Sequence, residues 1–112
     1  MDIDKLREYC LSFPGATEGL KWEDHICFMV AEKFFCMTGH WGGVCLKVTP
    51  EEFDEMTERD GIVPTPYMAR NKWVTIEKFS GLKQKEWDHF IRQSYEIIAA
   101  KLPEKVKEGL GK

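Results

Sequence analysis

The chain has 112 residues, 43% of them hydrophobic and 31% charged, with a formal net charge of −3 at neutral pH. That length suits a single domain with one ordinary core, and the balance is that of a folded, water-soluble protein rather than a disordered one. Net negative charge gives no global pull toward nucleic acid or an anionic membrane, no apolar run is long enough to span a bilayer, and Met1-Asp2-Ile3-Asp4 lacks the basic start of a signal peptide. A cytoplasmic location follows as the expectation, and there four cysteines stay reduced rather than forming a disulfide framework.

In chain order, Asp2 is placed to cap a first helix whose Ile3, Leu6, Tyr9, Cys10 and Phe13 share one side, and Pro14-Gly15 stops it. Ala16 to Gly19 reads as a connector. From Leu20 to Val48 three extended runs are separated by Ala31-Glu32 and Gly42-Gly43. The glycine pair suits a tight hairpin; Ala31-Glu32 is a weaker turn signal because neither residue favours positive φ. If both loops hold two residues, Val30 faces Lys33, Phe28 faces Phe35, Cys27 faces Cys36, Trp41 faces Val44 and His40 faces Cys45. Alternation then puts Ile26, Phe28, Val30, Phe35, Met37, Trp41, Val44, Leu46 and Val48 on a core face. His25, Cys27, Met29, Phe34, Cys36, Thr38, His40, Cys45 and Lys47 fall on a second face expected to remain partly open.

Thr49-Pro50-Glu51-Glu52 is a helix start, with Thr49 as N-cap, Pro50 in the first position and Glu52 closing a capping box. Phe53 and Met56 face the core, and Asp60-Gly61 ends this helix. Ile62 to Asn71 contains Pro64 and Pro66 and reads as a shaped loop, within which Tyr67, Met68 and Ala69 can add a short edge strand. Lys72 to Phe79 is a strand, with Val74 and Ile76 inward and Trp73, Thr75 and Glu77 on the other side. A long helix runs from about Lys83 to Leu102 on a stripe of Trp87, Phe90, Ile91, Ser94, Ile98 and Leu102, and Pro103 ends it. Residues 104–112 read as a frayed tail. The fold class is therefore α+β: one domain over residues 1–103, an antiparallel sheet with helices on one face, in the order α-β-β-β-α-(β)-β-α.

Pro14-Gly15, Trp22, the Phe28-x-Val-x-x-Lys33-x-Phe35 hairpin, Leu46-Lys47, Pro50-Glu51, the Pro64 to Tyr67 loop, Asn71-Lys72-Trp73-Val74, Ser94-Tyr95 and Lys101-Leu102-Pro103 occur in an order that resembles the MmcQ/YjbR family of small bacterial proteins. The resemblance spans most of the chain. It implies a two-layer CyaY-like or "double wing" fold and a proposed DNA-binding role, with no cofactor and no established catalytic residues. The cysteine and histidine load on the meander departs from the family layout.

Cys27 and Cys36, as direct cross-strand neighbours, would have Cβ atoms about 4.5–5.5 Å apart, with His25 on the same face. His40 and Cys45 lie most of a strand away and there is no C-x-x-C spacing, so packing as small semi-buried hydrophobes is the simpler reading and no metal is expected. A Cys45 nucleophile with His40 as base lacks any sign of a lowered thiol pKa. The carboxylates of Glu51 to Glu58 are explained by capping and solvation. Nucleic-acid binding needs cations and flat rings on one surface, and Lys33, Lys47, Arg70 and Lys72 with Trp73 and Tyr67 are the candidates. The expectation is a non-enzymatic DNA-binding protein using the open sheet face and the basic loop beside it. The alternative is a protein-, peptide- or small-ligand-binding module using an apolar groove formed by Met29, Phe34 and Trp73 on that face.

Overall fold

A computed structural model describes residues 1–21, 25–38, 43–65 and 71–106. The elements are α1 (Ile3–Leu11), β1 (Ala16–Lys21), β2 (His25–Val30), β3 (Lys33–Thr38), β4 (Val44–Lys47), α2 (Pro50–Met56), β5 (Ile62–Pro64), β6 (Trp73–Ile76) and α3 (Gln84–Ala100). The strands form one antiparallel sheet in the order β1-β2-β3-β4-β6-β5. The fold is α+β, an antiparallel sheet with its helices on one face.

Both short-helix starts form as their sequences dictate. The Asp2 carboxylate accepts from the Lys5 amide at 2.9 Å, and Thr49 and Glu52 close a full capping box in front of α2. Helix α3 carries its stripe inward: Trp87, Ile91, Ser94, Tyr95, Ile98 and Leu102 are buried, while Phe90 is half-buried. The helices lie side by side. Tyr9 of α1 donates to the Asp88 carbonyl of α3, and Arg59, just beyond α2, pairs with Glu86 of α3. Beyond α3 the Val106 amide donates to the Pro103 carbonyl and residues 104–106 form a helical turn; the rest of the expected tail, residues 107–112, lies outside the described residues. No helix among the described residues is long and apolar enough to cross a membrane.

Four features differ from the sequence reading. First, Ala16 to Gly19 is not a connector but the start of β1, which pairs with β2 along its whole length. Tertiary contact overrides weak strand propensity here. Gly19 lies beneath Met29, and a Cβ at residue 19 would meet Met29 Cε at 2.7 Å. The Arg7–Glu18 pair fastens the strand to α1.

Second, β3 contains a bulge. Val30 faces Lys33 as expected, but Phe28 faces Cys36 and Cys27 faces Met37, because Phe35 is inserted as one extra residue. Every residue of β3 beyond it changes face. Cys36 turns toward α1, where its thiol neighbours that of Cys10, and Met37 turns to the opposite side. Phe35 also faces the helices, against Tyr95 and Phe13.

Third, Thr38 pairs with Val44, whereas the expected register, with Trp41 opposite Val44, would set Thr38 opposite Lys47. His40, Trp41 and Gly42 lie outside the described residues, as do Trp22 and the Tyr67–Ala69 stretch. The edge strand seen in the proline-containing segment is Ile62–Pro64. Proline ends it on its outer side, where the missing N–H costs no ladder bond.

Fourth, the face opposite the helices is not open along its centre. Cys27, Met37, Cys45, Thr75 and Trp73 are all buried there. Its polar atoms are satisfied internally: Cys45 Sγ lies 3.4 Å from Thr75 Oγ1, which lies 3.0 Å from Thr65 Oγ1.

Candidate functional site

The bulge in β3 creates the chemistry of the site. Past the Cys36–Leu46 pair the ladder between β3 and β4 opens, and the Phe35 carbonyl and the Lys47 amide lose their strand partners. The Ser94 hydroxyl fills the gap. It donates to Phe35 O and accepts from Lys47 N at 3.0 Å, which is why a fully buried serine sits in the apolar stripe of α3. Ser94 thereby pins α3 at the end of β4, beside Lys47.

Lys47 is only 9% exposed. Its Nζ donates to the Asn71 carbonyl in the turn that enters β6, and Lys47 is the cross-strand partner of Trp73. Lys101, the C-cap residue of α3, is close enough for its charge to act on Lys47. Burial, then the charge of Lys101, holds the Lys47 pKa below the ordinary lysine value. Lys72 stands next door with φ of +63°, its carbonyl accepting from Val48 N at 3.0 Å and its Nζ 4.9 Å from the Phe53 ring centroid. Lys33 is exposed where β3 begins. Antiparallel pairing of β3, β4 and β6 puts the start of β3, the end of β4 and the start of β6 at one end of the sheet. Lys33, Lys47 and Lys72 therefore gather there.

The expected assignment needs correction at two residues. Trp73 is 5% exposed and packs against Phe34 with ring centroids 5.8 Å apart, so it is a core residue and not a stacking platform. Lys47 belongs to the interior end of β4 and not to an open face. Tyr67 and Arg70 lie outside the described residues. Sequence reasoning missed Lys101, Asn71 and the bridging role of Ser94. The signal for Lys101 was its place seven residues after Ser94, about two turns further along the chain on the same side.

The cysteines do not converge as the strand pairing without a bulge implies. Cys36 faces the helices while Cys27 and Cys45 flank Met37 on the other side, so the Cys27–Cys36 pair is not formed. No metal-binding group of three His, Cys, Asp or Glu side chains occurs among the described residues; the His25 side chain and His40 lie outside them. Burial pushes the Cys36 thiol well up, and that of Cys45 up, the reverse of what activates a nucleophile.

The fold and the residues at the sheet end can be set beside known proteins. The chain is similar to a crystal structure of the Deinococcus radiodurans protein DR2400, which carries a DUF419 domain, with a TM-score of 0.88 and 22% identity over 98% of this chain and 88% of that one. A Pseudomonas syringae crystal structure matches with a TM-score of 0.72 and 21% identity over 87% of this chain and 98% of that one. At such identities these likenesses concern the fold alone. No curated protein matches the sequence. The YjbR family model matches residues 11–97, the greater part of the chain, from the end of α1 to the middle of the last turns of α3, and the chain belongs to the YjbR family.

Proposed function

We propose that the protein is a non-enzymatic, cytoplasmic DNA-binding protein that meets the phosphate backbone with the basic end of its sheet. The observation that supports this reading is the gathering of Lys33, Lys47 and Lys72 at one end of β3, β4 and β6, with Lys101 added from α3. Such a cluster attracts phosphate locally although the chain is net negative. The sheet face takes no part in this reading, because Trp73 and the centre of that face are buried. For the same reason an apolar groove for a protein or small ligand has less support, since Met29 and Phe34 are only half-exposed remnants of it. Short duplex DNA titrated at low salt should bind, with affinity falling steeply as salt rises. Lys33→Ala and Lys72→Ala should each reduce the slope of log affinity against log salt by about 1. No binding at low salt, or slopes unmoved by both substitutions, removes the proposal.

A further inference from the structure

The two outer strands of the sheet are unlike. β5 has three residues and ends in Pro64, which has no N–H to offer. β1 has six residues and no proline, pairs with β2 along its whole length, and takes no further strand on its other side among the described residues. The neighbouring hairpin decides which groups that edge presents. Val30 and Lys33 flank a two-residue turn, so Val30 turns its amide and carbonyl toward β3. Its β1 partner Ala16 therefore points outward, and the Ala16 amide donates to the Phe13 carbonyl at 3.1 Å. Backbone groups alternate along a strand, so the amides and carbonyls of Glu18 and Leu20 also face outward, with no backbone partner among the described residues.

Apolar side chains stand beside this edge. Leu20 is 69% exposed, and Ile3 and Leu11 of α1 are 42% and 40% exposed. Ile3, Arg7 and Leu11 fall at i, i+4 and i+8 and form one row along the helix. Arg7 reaches Glu18 on β1, whereas Tyr9, across the helix, reaches α3. The row thus overlooks the open edge, on the side of the sheet that carries the Glu18 and Leu20 side chains.

We propose that this edge docks a second copy of the chain, whose own β1 adds antiparallel to make one continuous sheet across a two-fold axis at Gly19. That register places Glu18 of each copy opposite Leu20 of the other, and each pair exchanges the amide and carbonyl bonds left open in the single chain. An axis on Glu18 would instead oppose two carboxylates. On the helix side the axis sets the two Ile3–Arg7–Leu11 rows against each other, Ile3 toward Leu11 of the second copy, with each Arg7 already neutralised by its own Glu18. On the reverse face it crosses Gly19, where no side chain obstructs the approach and the half-buried Met29 of each copy lies over the glycine. Pairing stops at two copies, because the same patch serves both and the proline-ended β5 offers no second acceptor edge. One strand pair with one helix row on each side is a small interface, so the dimer is a transient one. It needs no nucleic acid and does not rest on the DNA reading.

Sedimentation equilibrium of the full chain without nucleic acid, with amide hydrogen exchange at low and high protein concentration, tests the pairing. A monomer–dimer equilibrium with nothing larger is expected, and the Glu18 and Leu20 amides should exchange more slowly as dimer accumulates. Leu20→Glu sets a carboxylate opposite Glu18 of the second copy, and Leu11→Glu sets one against Ile3. Each should weaken the dimer at least about tenfold. Both side chains are exposed in the single chain, so neither substitution disturbs its core. A dimer that both variants form as well as the wild type, or one that leaves the exchange of Glu18 and Leu20 unchanged, overturns the proposal. So does growth into longer assemblies. A wild type that stays monomeric up to about 1 mM, where weak specific interfaces still show, also overturns it and leaves the edge to an extended segment of another protein.

Discussion

Ser94 holds together the part of the molecule on which the candidate site depends. A serine in the middle of a helix normally returns its hydroxyl to the preceding turn or to water. Here it leaves the helix and stands in for a missing rung of the sheet, between Phe35 O and Lys47 N. Ser94→Ala leaves a donor and an acceptor buried and unpaired. The expected loss is about 3 kcal/mol of stability in urea unfolding, since each stranded group costs about 1–3 kcal/mol. A loss below about 0.5 kcal/mol would mean that strand and helix close the gap without the hydroxyl. Tyr95, its neighbour, works at the other edge of α3: its hydroxyl donates to the Pro14 carbonyl at 2.5 Å while its ring stacks on Phe13. Adjacent residues thus anchor α3 to β3 and β4 on one side and to the end of α1 on the other.

Among the elements, the β2–β3 hairpin carries the most visible backbone strain. Ala31 and Glu32 both adopt positive φ, at 49° and 68°, the geometry of a two-residue turn that favours Asn-Gly. Left-handed backbone costs an ordinary residue roughly 1–2 kcal/mol. The hairpin accepts this because strand twist requires it, and because the paired strands on either side are held by the core. Ala31→Asn combined with Glu32→Gly should therefore raise stability by about 1 kcal/mol, after allowance for the added chain entropy of glycine. Thermal melts of the double variant should show a higher midpoint, and a lower one would show that the turn is held by something other than its φ angles. The same hairpin carries the bulge that sends Cys36 toward Cys10 and Met37 away, so a single inserted residue decides which thiols share a face.

For the whole molecule, the groups with shifted pKa set the response to alkali. The Cys36 and Cys45 thiols and the Tyr9 and Tyr95 hydroxyls are raised, mainly by burial, above ordinary values of 9.0 and 10.0. A raised group contributes stability that is full below its unfolded pKa and is lost as pH climbs toward the folded one. Lys47 has the opposite sign: its lowered pKa contributes above 10.5 and is lost as pH falls. Four groups against one should make stability constant near neutrality and falling above about pH 9, with thiols first. Urea midpoints from pH 7 to 10.5 check this, and Cys36→Ala should flatten the early part of the decline. An unchanged slope in that variant would take the Cys36 thiol out of the account.

How far the sequence reached can be seen residue by residue. Asp2, Thr49 and Glu52 announce their helices because capping is a local matter, settled within four residues. The stripe from Trp87 to Leu102 is equally readable, since a helix meets the core at a fixed period. Val30 and Lys33 pair as expected, one step from the turn. The order of motifs along residues 11–97 was enough to identify the family. What the chain alone could not settle was every feature that depends on a neighbour distant in sequence. Ala16–Lys21 becomes a strand only because β2 lies beside it, and Phe35 bulges where Ser94, 59 residues later, can take the freed carbonyl. Trp73 and Lys47 look like surface residues by alternation, yet both sides of the central strands are buried. Local rules fix backbone shape over a few residues; face, burial and the nearness of Lys101 to Lys47 depend on packing, which only the folded chain supplies.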